Sequence, residues 1–112
     1  FVEAGIIVLT AFISPFKSDR ARVRNILQHG DFLEIYCDTP IEVCEQRDVK
    51  GLYKKARAGL IGDFTGISSP YEAPINPDLS LMTGSLELEK CVDQVMVLLQ
   101  RHGVVVPTKR QN

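Results

Sequence analysis

The hydrophobic pattern of the first third of the chain predicts strands that alternate with helices. Residues 5–14 (GIIVLTAFIS) form an unbroken, β-branched apolar run, which is typical of a strand covered on both faces. Residues 17–29 then place aliphatic side chains at helical spacing among charged ones, and Gly30 follows as a helix terminator. A second apolar run, residues 32–37 (FLEIYC), predicts a second strand.

A helix-start signal follows this second strand. Thr39 is placed as an N-cap, Pro40 at the first helical position and Glu42 at the third, which together make a capping box. The order strand, helix, strand, helix indicates an α/β fold with a parallel sheet and crossover helices. Asp38, which precedes this helix, is either a further cap or a ligand for a cation or a ribose.

Residues 47–77 interrupt the apolar rhythm and are predicted to form a lid. Residues 50–58 (KGLYKKARA) favour a helix, and residues 59–77 are rich in Gly and Pro. The start of this segment sets five cations against the single acid Asp48: Arg47, Lys50, Lys54, Lys55 and Arg57. Such a patch is either a solvated helix face or a mobile clamp for phosphate groups.

The last third of the chain predicts a short strand and a long helix. Residues 79–83 (LSLMT) alternate like a strand, and Ser85 is placed as the cap of a helix that runs to His102. Gly103 is expected to end this helix, and residues 104–106 to add a little edge structure. Residues 108–112 form a polar tail.

Composition narrows the range of functions. The chain has 112 residues, 45% of them hydrophobic, and a net charge of −1, which argues against general electrostatic binding to nucleic acid or to a membrane. No apolar run approaches the roughly 18 residues that would span a bilayer. Three scattered cysteines have no metal-binding spacing and favour a reducing compartment, so the cytoplasm is expected.

Two residues near the expected ligand edge allow alternatives. Ser14, at the end of the first strand, could contact a ligand, accept a phosphoryl group or start the turn before Pro15. Phe64 is either a stacking surface for a base or an anchor of the loop. From the residues alone, the chain is interpreted as an incomplete parallel α/β domain that handles a phosphorylated ligand.

Several segments together resemble the adenylylsulfate kinase family. The resemblance covers nearly the whole chain, and the lid motif followed by FTGI and PYEAP is highly specific. The segments are LTAFISPF at 9–16, DTP at 38–40 with EVCE at 42–45, RDVKGLYKKARAG at 47–59, FTGI at 64–67 and PYEAP at 70–74.

This resemblance implies a P-loop kinase-like parallel sheet with flanking helices, and a function in sulfate activation. The implied reaction transfers the ATP γ-phosphate, with Mg²⁺ as cofactor, to the 3′-hydroxyl of adenosine 5′-phosphosulfate (APS), giving 3′-phosphoadenylylsulfate (PAPS). Carried over from the family, the APS-binding residues are Ile13, Ser14, Lys50, Asp63 and Phe64. The implied ATP-side residues are Arg47, Thr83 and Leu86. Ser14 and Lys50 are the implied catalytic residues, Ser14 as a phosphoserine in some accounts, and no metal ligand is assigned.

The main departures from the family pattern concern the N-terminal half of the family, and within the lid Leu60 stands where an acidic residue is expected. The chain contains no G-x-x-x-x-G-K-[ST] sequence, which would hold the ATP phosphates. The sequence is therefore interpreted as the C-terminal part of a kinase domain, residues 1–107 with the lid at about 47–77, and as inactive without the rest. The expected partners are ATP and APS, with no nucleic acid polymer and no membrane; a homodimer and a fusion to ATP sulfurylase are both left open.

Two other functions compete with this one. A non-catalytic module could keep the APS-facing surface, or serve for pairing, without ATP turnover. A kinase for another small nucleotide-like acceptor would need the lid motif to be shared more widely than this family.

Overall fold

The computed structural model describes residues 4–28 and 30–106, and it forms four helices and two strands within them. In chain order these elements are α1 (Lys17–Ile26), β1 (Ile35–Cys37), α2 (Ile41–Arg47), α3 (Leu52–Arg57), β2 (Leu79–Leu81) and α4 (Leu88–Arg101). His29 and the tail predicted for residues 108–112 lie outside the described residues.

The two strands pair in parallel, as the element order predicts. Ile35 lies opposite Leu79, and Cys37 lies opposite Leu81. The ladder is extended at its end by the amide of Asp38, which donates a 2.8 Å hydrogen bond to the carbonyl of Leu81. The connection between the strands contains α2 and then the lid, which includes α3. This long connection leaves the sheet at the carboxyl end of β1 and returns to it at β2.

The core of the described residues is small. Four hydrophobic side chains are buried, on β2, α3 and α4: Ala56, Leu81, Cys91 and Leu98. Helix α4 packs against β2 with a face that includes Cys91 and Leu98, whereas Leu88 at the start of the helix is 79% exposed. The radius of gyration is 16.8 Å, compared with about 13 Å for a compact domain of about 100 residues.

The strand predicted for residues 5–14 is not formed. Residues 6–13 adopt no regular secondary structure in the described part of the chain, and Leu9 and Phe12 are 83% and 81% exposed. A strand needs a neighbour that takes up its backbone hydrogen bonds, and among the described residues β1 and β2 pair only with each other. The apolar composition was recognised correctly, but the prediction of a strand was wrong for this chain.

The two predicted helix caps are also wrong. Helix α2 begins after Pro40 with no side-chain cap, because the hydroxyl of Thr39 instead hydrogen-bonds to that of Thr83. Helix α4 begins at Leu88, and the hydroxyl of Ser85 donates to the carbonyl of Met82 at 3.4 Å. The Thr39 hydroxyl joins the ends of the two strands and the Ser85 hydroxyl closes the turn after β2, so neither caps a helix.

The predicted end of the last helix is confirmed. Gly103 has a φ of +70°, and its amide donates to the carbonyl of Gln100. The next amide, of Val104, donates to the carbonyl of Leu99 at 2.9 Å, which completes a Schellman motif. Residues 104–106 form no strand, so the expected edge structure is absent from the described residues.

Candidate active site

The loop after β2 lies against the start of α2. The hydroxyls of Thr39 and Thr83 are hydrogen-bonded to each other across the two strand ends. A Cβ on Gly84 would come within 3.2 Å of both Pro40 and Thr39, so the loop passes close to the backbone there. This contact lies at the carboxyl edge of a parallel sheet, where ligands bind in open α/β folds.

Arg47 ties the end of α2 to the same loop. Its guanidinium donates to the carbonyl of Thr83 at 3.0 Å and to that of Gly84 at 3.5 Å. The amide of Leu86 donates to the carbonyl of Met82 at 2.9 Å, which keeps Leu86 in the same turn. The three residues that the family resemblance assigns to the ATP side are therefore brought together by the fold.

The lid begins with a tight turn that carries Lys50. The amide of Gly51 donates to the carbonyl of Asp48 at 2.9 Å, and Gly51 has a φ of +67°. The Asp48 carboxylate accepts hydrogen bonds from the amides of Tyr53 and Lys54, at 2.9 and 3.0 Å. Lys50 lies exposed in this turn, and sequence reasoning assigned no role to Asp48.

A bidentate ion pair joins the far end of α3 to α2. The guanidinium of Arg57 contacts the two carboxylate oxygens of Glu45 at 2.6 and 3.2 Å. The hydrogen bond from Arg57 lowers the pKa of Glu45 below its ordinary value, although both side chains face solvent. Such an exposed pair holds geometry more than it adds stability.

Among the described residues, the unpaired positive charges of the lid belong to its lysines. Arg47 is occupied by backbone carbonyls and Arg57 by Glu45. Among residues 4–28 and 30–106, no ion pair involves Lys50, Lys54 or Lys55, all of which are exposed. Their ammonium groups are therefore available to an anionic ligand.

Ring and backbone contacts hold Phe64 in the second half of the lid. Its ring lies edge-to-face with that of Tyr53, with centroids 5.0 Å apart, and its amide donates to the hydroxyl of Ser68 at 2.8 Å. Burial, followed by the nearby thiol of Cys44, raises the pKa of Tyr53. Asp63, which precedes Phe64, is exposed and has a φ of +51°.

The lid loop docks onto α2 at Gly66. This residue has a φ of +86°, and a Cβ there would lie 3.0 Å from the terminal methyl group of Ile41. The amide of Gly66 also donates to the carbonyl of Ser69 at 2.8 Å, which closes the FTGI turn. Glycine is required here both by the left-handed backbone and by the close approach.

Ser14 belongs to a second group, formed around Arg20. Ser14 has a φ of +41°, and its carbonyl accepts a 2.5 Å hydrogen bond from the Arg20 guanidinium, which also donates to the carbonyl of Glu72. The amide of Glu72 donates to the carbonyl of Pro15 at 2.8 Å, and its carboxylate accepts from the amide of Lys17 at the same distance. The PYEAP segment is thus attached to the Ile-Ser-Pro segment.

Aromatic rings reinforce this second group. Tyr71 stacks on Tyr36 of β1 with centroids 6.3 Å apart, and the Arg20 guanidinium lies 5.7 Å from the centroid of the Tyr71 ring. Burial, followed by the charge of Asp38, raises the pKa of Tyr36. Ile13, the other residue predicted to border APS in this segment, is 68% exposed.

A cavity of about 390 Å³ opens beside α1, but its arginines are already paired. Arg20 lies 3.8 Å from Glu34, and Arg24 lies 3.1 Å from Asp78. The lid therefore offers more unneutralised positive charge than this cavity. Sequence reasoning missed Arg20 and Glu72, because their partners are distant in the chain.

A family model described as adenylylsulphate kinase matches residues 1–82 of the chain. The chain belongs to the adenylyl-sulfate kinase family. The matched range contains the lid and the Ile-Ser-Pro segment, and Thr83 and Leu86 lie just beyond it.

Curated relatives that are named adenylyl-sulfate kinase match most of this chain. The chain is 62% identical to an adenylyl-sulfate kinase of Acaryochloris marina over 108 residues, which cover 96% of this chain and 53% of the relative. It is 59% identical to that of Prochlorococcus marinus over 96 residues, covering 86% and 48%. The chain therefore spans about half the length of these curated relatives.

A solved kinase shares the fold. The structure of the Mycobacterium tuberculosis APS kinase CysC, in complex with AMPPNP and APS, superposes with a TM-score of 0.73 at 47% sequence identity. The match covers 80% of this chain and 52% of that chain. The expectation of an α/β kinase-type fold with a parallel sheet and flanking helices is confirmed by this likeness. None of the helices in the described ranges has the length and apolar content to cross a bilayer.

Proposed function

We propose that this chain supplies the lid and the APS-facing part of an adenylyl-sulfate kinase. In the proposed reaction the 3′-hydroxyl oxygen of APS attacks the γ-phosphorus of ATP. The bond from that phosphorus to the oxygen bridging the β- and γ-phosphates breaks, ADP leaves, and the hydroxyl proton is lost. The products are PAPS, ADP and a proton.

The observation that carries this proposal is the lid, with its three lysines free of carboxylate partners in the described part of the chain. Phosphoryl transfer has a loose transition state, so it depends on positioning and positive charge more than on covalent chemistry. Lys50 lies in the tight turn at the lid's start, where its ammonium group could reach a bound anion. The similarity to a kinase solved with AMPPNP and APS supports the choice of ligands.

We assign the APS side to Lys50, Asp63, Phe64, Ile13 and Ser14. Phe64 would stack on the adenine, and its edge-to-face contact with Tyr53 supports a fixed ring orientation. The Ile-Ser-Pro segment would border APS, and its hydrogen bonds to Arg20 and Glu72 support a rigid wall there.

We assign the ATP side to Arg47, Thr83 and Leu86. The hydrogen bond from Arg47 to the carbonyl of Thr83 supports a shared surface at the carboxyl edge of the sheet. Within residues 4–28 and 30–106, no three His, Cys, Asp or Glu side chains come together. We assign no metal ligand to this chain, and we propose that Mg²⁺ arrives bound to ATP.

The remaining proposals concern the whole protein. The kinase domain would include residues 1–107, followed by a polar tail, and the protein would act in the cytoplasm, where its thiols stay reduced. The 112 residues contain no P-loop sequence, so we propose that they do not transfer phosphate alone. A homodimer, or association with ATP sulfurylase, would be compatible with this function.

Calorimetric titration of the 112-residue chain with APS, and separately with Mg²⁺ and ATP, tests the proposal. Weak APS binding without ATP binding is expected, together with ADP and PAPS formation by the full-length protein. Tight, Mg²⁺-dependent ATP binding by the 112 residues would contradict this account. APS binding by a full-length protein that forms no ADP would favour the non-catalytic APS-binding module.

A further inference from the structure

Helix α3 has an N-terminal cap that its own N-cap residue cannot provide. Gly51 occupies the N-cap position and has no side chain. The carboxylate of Asp48, three residues earlier, accepts one hydrogen bond from Tyr53 and one from Lys54, the second and third residues of the helix. One carboxylate therefore satisfies two amides that a short helix would otherwise leave unpaired.

The backbone of Asp48 connects the two helices on either side of this turn. Its amide donates to the carbonyl of Cys44 at 3.0 Å, at the end of α2, and its carbonyl accepts from the amide of Gly51 at 2.9 Å. Val49 and Lys50 lie between these contacts and are both exposed. The path of the chain at Lys50 is thus set by Asp48 on one side and by the start of α3 on the other.

The Asp48 carboxylate is also connected to Phe64, through Tyr53. It holds the amide of Tyr53, and the Tyr53 ring lies edge-to-face with Phe64. Asp48 is therefore linked to two of the three lid residues assigned to APS, through the turn to Lys50 and through Tyr53 to Phe64. Its own oxygens are engaged with backbone amides.

We propose that Asp48 is a positioning residue of the lid, which orients Lys50 and Phe64 for APS without touching the substrate. This inference rests on the proposed function, because the two residues are assigned to APS there. A lid that clamps an anion must present its charge within a narrow range of directions. The Asp48 cap restricts that range before APS binds.

The experiment uses the full-length protein with Asp48→Ala, Asp48→Asn and Lys50→Ala, the double variant Asp48→Ala/Lys50→Ala, and the exposed α4 control Asp93→Ala. Asp48→Ala is expected to raise the Kd and KM for APS about five- to thirtyfold, the factor that corresponds to a lost N-cap. The KM for ATP should change less than about twofold, because the binding lost is that of APS alone. Asp48→Asn keeps one acceptor oxygen and should lie between, and Asp93→Ala should match the wild type.

Two readouts separate positioning from general destabilisation. In Asp48→Ala, amide hydrogen exchange should accelerate at Tyr53 and Lys54 and stay unchanged in α4. The factor by which the double variant raises the Kd for APS should be smaller than the product of the factors for the two single variants, because Asp48 acts partly through Lys50. The proposal would be overturned by equally faster amide exchange in α4, or by an unchanged Kd for APS in Asp48→Ala. It would also be overturned if the factor for the double variant equalled the product of the two single factors.

Different results would contradict the role of Asp48 and the proposed function. A wild-type protein that neither binds APS nor forms ADP would overturn the function itself. Normal wild-type activity with an unaffected Asp48→Ala variant would overturn only the role of Asp48. The hydrogen-exchange readout is made without substrate, so it applies in both cases.

Discussion

The guanidinium of Arg47 donates a 3.0 Å hydrogen bond to the carbonyl of Thr83, and so joins the end of α2 to the loop after β2. A second nitrogen of the same group reaches the carbonyl of Gly84 at 3.5 Å. Because Asp48 follows Arg47 directly and caps α3, the proposed ATP-side loop and the lid start from adjacent residues.

Replacing Arg47 should affect ATP more than APS. Arg47→Lys keeps the charge but loses the planar fork that serves two carbonyls. We expect the KM for ATP to rise about threefold to tenfold, which corresponds to one or two weakened hydrogen bonds. Steady-state kinetics of the full-length protein measure this, with the exposed Arg101→Lys on α4 as the control. A larger effect on APS than on ATP would contradict the assignment.

Removal of the Lys50 ammonium group should weaken the use of APS selectively. Lys50→Ala is expected to lower kcat/KM for APS about ten- to a hundredfold, the range for one hydrogen bond to a charged group. ATP binding should change far less. The matched variant Lys90→Ala removes an exposed lysine from α4 and should have no effect. An equal loss for both ligands would count against the mapping of Lys50.

The Ser14 hydroxyl is expected to be dispensable for turnover. Direct in-line transfer to the ribose hydroxyl needs no phosphoserine. Ser14 has a φ of +41°, so Ser14→Gly removes the hydroxyl without straining the backbone. We expect kcat to stay within about tenfold of the wild type, below the roughly hundredfold to ten-thousandfold contribution of one positioned catalytic group. A loss of several orders of magnitude, with APS binding intact, would contradict this expectation and show that the hydroxyl acts in the transfer step.

A methyl group at Gly66 should loosen the lid. Gly66→Ala adds a Cβ 3.0 Å from Ile41 at a φ of +86°, which is expected to cost about 1–3 kcal/mol. The measurement is the rate of limited proteolysis within residues 59–70. Gly62→Ala is the control, because no atom lies within 4 Å of the added Cβ and its φ is not positive. Ile41→Val removes the clashing methyl group and should rescue Gly66→Ala only in part, since the backbone strain remains.

Low pH should weaken the contact between the C-terminal end of α3 and α2. The Arg57 contact lowers the pKa of Glu45 from 4.5, so its stabilising effect is present above that value and is lost as the pH falls through the lowered pKa. Amide exchange in α3, corrected for the intrinsic pH dependence, should therefore show a loss of protection at low pH. Glu45→Gln should lack this transition, whereas Glu89→Gln on α4 should retain it. A transition that persists in Glu45→Gln would assign it to another group.

Much of the fold could be predicted from the chain's local patterns. Both strands that form, and all four helices, fall within segments whose hydrophobic spacing or turn residues favoured them. Gly51, Gly59 and Gly103 have positive φ at turns or helix ends, as glycine in such places indicates. Gly30 also has a positive φ, but the prediction that it terminates the first helix was wrong, because α1 ends at Ile26. These features depend on the nearest few residues, so the sequence contains them directly.

The failures concern contacts between distant residues. The apolar run at residues 6–13 has the composition of a covered strand, but the described residues provide no neighbour for it. Thr39 had the surroundings of an N-cap, and the partner that takes its hydroxyl, Thr83, lies 44 residues away. Local pattern therefore could not decide either outcome.

The sequence by itself determined the family, the basic lid and the residue types that the proposed chemistry needs, because these are properties of composition and order. Only the tertiary structure decided which charges remain free and which residues hold the lid. Arg47, Asp48 and Arg57 are engaged with backbone groups or with Glu45, whereas the side chains of Lys50, Lys54 and Lys55 have no ion-pair partner among residues 4–28 and 30–106. Hydrogen bonds and ion pairs form between groups that folding brings within about 3 Å of each other, and that proximity cannot be obtained from the order of residues alone.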